Sequence, residues 1–286
     1  MRHFSQRISQ CLIVAGLLFM AAADAQAQFG KIKDKVKTPA TGGGSGGGGG
    51  SADIDSILVT IDSARVKFAY AKLSFSLADD VIRRQALRNS AKKSTGGQID
   101  KDKEEVTALD KSIAEKRKLL AELGRQSGGG KYDENTEKQV AFQLKADEEK
   151  RAEKKALVDQ ELKDKEANEK SLSKEDRDNY GKLAKLLFSA ALQEKAAIET
   201  AREVQPRAQS AASNLGSDPT AMAGSQPKRL NSGIKNLNEI VTEGPKHATT
   251  MIDVAKHIGK IGGVDLTEGK FQASVVTDEK DVPTDW

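Results

Sequence analysis

A seven-residue repeat between residues 54 and 82 limits the fold of this chain more than any other feature. One seam position holds Ile54, Ile61, Phe68, Phe75 and Ile82; the other holds Ile57, Ala64, Ala71 and Ala78. An unbroken run of apolar seam positions marks a helix that packs lengthwise on other helices. Bulky residues alternating with alanine let a neighbouring helix approach closely. Leu58, Leu73 and Leu77 widen the stripe, so the helix is expected to touch more than one neighbour. Asp53 is its candidate N-cap and Gly96-Gly97 its end, with Asp79-Asp80 as a candidate break.

The same register recurs over residues 98–123 as Ile99, Val106, Leu109, Ile113, Leu120 and Leu123, with Asp102 and Lys116 interrupting it. A third helix is predicted over about 134–170. Val140 and Leu144 open its apolar face, and Val158 and Leu162 close it. The stretch KADEEKRAEKK between them reads as a solvated helix held by i,i+4 charge pairs and projecting beyond the core. Ser173 with Asp176 resembles a capping box for a fourth helix over about 174–214, whose Ala-rich face runs from Tyr180 to Ala201. Pro206 should kink or end it. Pro227 opens a fifth helix, and Gly244-Pro245 should divide that from a sixth, which Gly262-Gly263 closes. No set of alternating strands stands out, although FQASVV, residues 271–276, has the pattern of a short one.

The expected fold is therefore all-α: an elongated antiparallel bundle of long coiled-coil-like helices, about four long and two shorter, with flexible termini. Aromatic residues make up 4% of the chain and charged ones 31%, a composition that suits long exposed helices better than a compact enzyme core.

The N-terminal residues read as export machinery. Arg2, His3 and Arg7 precede the apolar run Cys11–Ala23, and Ala25-Gln26-Ala27 has the small residues a signal peptidase accepts, so residues 1–27 form the expected leader. Thirteen apolar residues are too few to span a membrane as a helix. The single cysteine, Cys11, lies in this leader, which leaves no thiol for catalysis or metal binding after cleavage. Setting aside Arg2, Arg7, Asp24, Lys31, Lys33, Asp34, Lys35 and Lys37, basic and acidic side chains are equal in number from residue 41 onward. Such a body has no field that favours nucleic acid, and none is expected as a partner.

The organisation that follows is a leader (1–27), a short cationic amphipathic segment (28–40), a Gly/Ser linker (41–52), a helical bundle (53–263) and a polar, loosely ordered tail (264–286). In the cationic segment Phe29, Ile32 and Val36 share one helical face, ringed by Lys31, Lys33, Lys35 and Lys37. That arrangement suits docking on a membrane surface or on an envelope protein. Trp286, the only tryptophan, ends the chain at a carboxylate that a partner domain can capture.

Candidate chemistry is sparse. The run from Gly124 to Lys131 lacks the leading glycine of a phosphate loop, places Tyr132 where a magnesium-binding hydroxyl belongs, and follows a helix, so it reads as an interhelical turn. His247 and His257 sit on different faces, and Asp253 with His257 supplies only two ligands. No cofactor, metal or catalytic residue is assigned. The expected function is that of an exported, periplasmic or secreted, non-catalytic scaffold or binding protein, with homodimerisation through the seams as an option. A pore-forming-like protein and a holdase-like periplasmic chaperone are the alternatives.

Overall fold

The chain divides into two units, Met1–Gly48 and Gly49–Trp286. The computed structural model describes residues 50–92, 97–216, 226–267, 269, 271 and 274–284, all in the second. They form six α-helices and no β-strand, an antiparallel helical bundle. The helices are α1 (Gly50–Ala91), α2 (Gly97–Ser127), α3 (Glu134–Glu149), α4 (Arg151–Ala167), α5 (Lys174–Gly216) and α6 (Gln226–Ile261). Four are long and two short, as the sequence predicts, but the division differs. The predicted third helix is two, and the predicted fifth and sixth are one.

The reasons are local. Lys150, at φ −105° and ψ 9°, leaves the helical region and separates α3 from α4 by one residue. In α6, Gly244 and Pro245 stay helical because the face on either side is held: Ile240 and Ala248 are buried, and Gly244 packs where Ile198 and Phe68 leave no room for a side chain. Thr249 Oγ1 donates to the Pro245 carbonyl at 2.8 Å. Pro206 is likewise accommodated inside α5. The pattern at Asp79-Asp80 does not break α1.

Helix starts follow the expected chemistry with one correction. Ser173 Oγ accepts the Asp176 amide at 3.0 Å and donates to the Asp176 carboxylate at 2.8 Å. The Asp133 carboxylate caps α3 by accepting from the amides of Asn135 and Thr136. Asp53 is not an N-cap, because α1 already begins at Gly50; it lies in the first turn and pairs with Arg207 at 2.9 Å. That pair joins the start of α1 to the far end of α5, as two antiparallel helices allow.

The core has two parts. One packs the first half of α1 (Ile54 to Phe68) against α5 from Ala197 to Ala208 and α6 from Leu230 to Ala248. The other gathers the second half of α1, all of α2 to α4, the first half of α5 and the end of α6. Eight of the nine seam residues of α1 are buried and Phe75 is half-buried, so this seam is covered within the chain.

The described residues among 264–284 depart from the loosely ordered tail predicted. Leu266, Val282 and Thr284 are buried. Phe271 meets Phe188 edge-on at 5.4 Å between ring centroids. The segment's described backbone is satisfied partly by body side chains and partly by a 3-10 turn at Glu279–Asp281 capped by Asp278, which composition alone does not reveal. Phe271 makes an isolated bridge rather than a strand.

Candidate functional site

The two residues that interrupt the heptads of α2 are both buried. Asp102 accepts from Gln98 Nε2 at 2.7 Å. Lys116, whose side chain is 0% exposed, anchors an ionic cluster at the centre of the larger core. Its Nζ bonds Asp80 of α1 and lies 2.7 Å from Asp147 Oδ2 of α3. Lys154 of α4 reaches the same two carboxylates, at 2.6 Å from Asp80 Oδ1 and 3.2 Å from Asp147 Oδ1. Ser112 Oγ donates to Asp80 at 2.9 Å, and Ser76 Oγ donates to Asp147. Asp79 adds a third carboxylate beside this group.

The arrangement explains why KADEEKRAEKK does not project as predicted. Asp147 and Lys154 fall within it, and both turn into the core to meet unlike charges. On either side of the interruption at Lys150, α3 brings Asp147 and α4 brings Lys154 to the same cluster. Arg83, beside it on α1, bonds Glu105 of α2 and lies 3.3 Å from Glu153 of α4.

Charges so placed perturb one another. Burial pushes the Asp80 carboxyl up, but Lys116 and Lys154 together outweigh it and hold Asp80 below its ordinary value. Burial lowers Lys154, whereas Asp80 and Asp147 raise it further, so its ammonium is strengthened. Asp79 has the opposite fate. Burial raises it, Lys154 pulls it back only partly, and Asp80 and Asp147 add repulsion, so it is pushed up to about 7. Three carboxylates face two ammoniums, and Asp79 is the one whose charge is least compensated.

A second buried pair lies near the junction of the two cores. Glu194 of α5, 0% exposed, meets His247 Nδ1 of α6 at 2.8 Å, and the His247 ring stands edge-on to Phe75 at 5.4 Å. Burial raises the Glu194 carboxyl, while His247 and Lys72 oppose it. His257 lies 3.4 Å from Glu166 rather than paired with Asp253. Among the described residues no group of three or more His, Asp or Glu side chains is placed to hold a metal ion. No described helix is long and apolar enough to cross a membrane.

Gly124 of the glycine-rich run packs directly under the Val276 carbonyl, and Gly129 turns the chain at φ +105°. That run is thus a turn and a backbone contact. Phe29, Lys31, Ile32, Lys33, Lys35, Val36, Lys37 and Trp286, the sequence-based docking residues, lie outside the described residues. The ionic cluster was visible in the sequence only as faults in a repeat. Lys116 at a seam position was the signal, since a buried lysine requires carboxylates nearby.

The surface cavities beside Gln85 and Lys103, beside Leu186 and Phe271, and beside Leu119 and Phe142 are lined by residues outside the cluster. Chemically, the cluster neutralises charge between helices and holds one proton near neutrality. No family model, curated protein or solved structure matches the chain.

Proposed function

We propose that this chain is an exported, non-catalytic helical protein of the bacterial envelope that acts by binding a partner. The observation that carries the reading is the destination of its buried charges. Asp80, Lys116, Asp147 and Lys154 face one another between helices and line none of the three surface cavities described above. A catalytic group has to reach a reacting atom; these groups are paired with one another and with Ser76 and Ser112. The leader-like residues 1–27 and the cationic segment 28–40 support export and docking at a membrane surface or an envelope protein.

Two measurements test this. N-terminal sequencing of the chain released from a bacterial host by osmotic shock should begin at Gln28; a chain that keeps Met1 and stays in the cytoplasm overturns the export reading. Crosslinking in the envelope should give one defined adduct with the mature chain and lose it when residues 28–51 are deleted. Turnover of a substrate that is abolished by Asp79→Asn or His247→Gln, with the fold retained, overturns the non-catalytic reading.

A further inference from the structure

α3 and α4 lie along α1 and are fastened to it mainly by polar groups. Arg65 Nε donates to Glu137 at 3.0 Å, Ser76 Oγ to Asp147, Arg83 to Glu153 at 3.3 Å, and Asn89 Nδ2 to Glu161 at 3.0 Å. The partners in these four contacts are 72, 71, 70 and 72 positions apart, so the two helices follow α1 in parallel at a nearly constant register. Lys116 and Lys154 sit in the middle of this line, where they tie Asp147 to Asp80. Near its far end Glu166 meets Lys260 of α6 at 2.9 Å.

Apolar burial adds little to this attachment. Val140 in α3 and Val158 and Leu162 in α4 are the buried apolar side chains of the pair. α6, similar in length to the two together, buries Leu230, Leu237, Ile240, Met251, Ile252 and Ile258. The α1 residues bonded to the pair, Arg65, Ser76, Asp80, Arg83 and Asn89, are none of the nine apolar seam residues. Both sides of this interface therefore suit water once parted, and the buried charges regain the hydration that burial denies them. Segments with few buried apolar contacts are the ones that open below the free energy of global unfolding. Each end of the pair is a joint outside α-helix. Gly128-Gly129-Gly130 precedes it, with Gly129 at φ +105°, and the 3-10 turn Glu169–Ser171 with extended Leu172 follows it.

We propose that residues 131–172 are a detachable strap: α3 and α4 leave and regain the bundle as one piece while the other helices stay folded. The ionic cluster makes the movement all-or-none. Asp147 and Lys154 stand on either side of the interruption at Lys150 and share that cluster, so neither helix lifts without unpairing a charge of the other. A half-open strap leaves such a charge buried and short of partners, which costs more than either the closed or the open state. The movement is independent of where the chain resides and of what it binds.

The test is hydrogen exchange on the full chain in sub-denaturing urea, read by mass spectrometry on peptides from each helix. In the wild-type chain, α3 and α4 should share one opening equilibrium, at least tenfold more favourable than that of α5 and α6. It should depend less steeply on urea, because less surface is exposed. Glu137→Gln weakens the strap at the α3 end only, yet it should speed exchange in α3 and α4 by the same factor, at least threefold, and leave α5 and α6 unchanged. Lys154→Met should do the same at least tenfold. If Lys154→Met fails to fold, the wild-type chain and Glu137→Gln decide. Exchange of α3 and α4 with the same equilibrium and urea slope as α5 and α6 overturns the proposal, since the strap then opens only when everything does. Faster exchange in α3 alone on Glu137→Gln also overturns it, since the two helices then open separately.

Discussion

The two ends of the bundle solve the same packing problem in different ways. At one end three helices meet through an apolar seam. Ile57, Ala64, Ala201, Leu230 and Leu237 are fully buried, and Gly233 admits Ile61 of α1. Its charges stay at the rim, as in Arg207–Asp53 and Arg229–Asp62. At the other end more helices converge, and two buried lysines with their carboxylates share the core with Leu73, Leu77, Leu120 and Leu187. Three helices with small seam residues close without a gap. Adding α2, α3 and α4 requires a fixed register among several partners, and unlike charges at set positions penalise every other register. An apolar core tolerates sliding more readily than a buried ion pair does.

The comparison is broken most directly by Lys116→Met, which leaves buried Asp80 and half-buried Asp147 with one ammonium between them. Unfolding free energy measured in urea should fall by about 3–5 kcal/mol. Adding Asp80→Asn should recover part of that loss, a recovery no simple cavity would show. At the apolar end Leu230→Ala should cost about 2–5 kcal/mol, with no rescue by any charge change. The two sites lie roughly 28 Å apart along α1, judged from the helical rise between their neighbours, so their costs should add within about 0.5 kcal/mol. Additivity that fails would show the two cores to be one cooperative network.

Acid sensitivity sharpens the contrast. Asp79 has a folded pKa near 7, above its ordinary 3.8, so the folded state holds a proton that the unfolded chain has lost. Between roughly pH 4 and 7 stability therefore falls as pH rises, then levels off. Glu194, also raised, acts with the same sign; Asp80, lowered, opposes it only as pH drops below the ordinary carboxylate range. Melting temperature recorded from pH 5 to 8 should decline in the wild-type chain and flatten in Asp79→Asn. The smallest effect belongs to the rim, where Arg207→Ala should change stability by less than about 1 kcal/mol, because both partners are more than half exposed.

The apolar end was the more legible of the two in the sequence. Ile54, Ile61 and Phe68 with Ala64 announce their helix and their face by spacing alone, because apolar burial needs no particular partner. The ionic end was not legible, because a charged side chain reads as exposed until its partner is placed. Asp80, Lys116, Asp147 and Lys154 come from four helices, and nothing local pairs them. Gly244-Pro245 misled for a related reason. Local propensity marks a helix end, but Ile198 and Phe68 from other helices hold α6 continuous. The packed course of residues 274–284 was hidden because its anchors are backbone atoms, identical in every sequence.

The enclosure of Lys116 and Lys154 also makes them reporters. An amine with almost no solvent contact, tied as an ammonium to carboxylates, is a poor nucleophile toward acylating reagents, whereas the exposed lysines of this chain are open to them. Pulse labelling followed by peptide mass analysis would thus time how often the interior opens. Lys116 and Lys154 should acquire label together, since the carboxylates they share cannot release one without loosening the other.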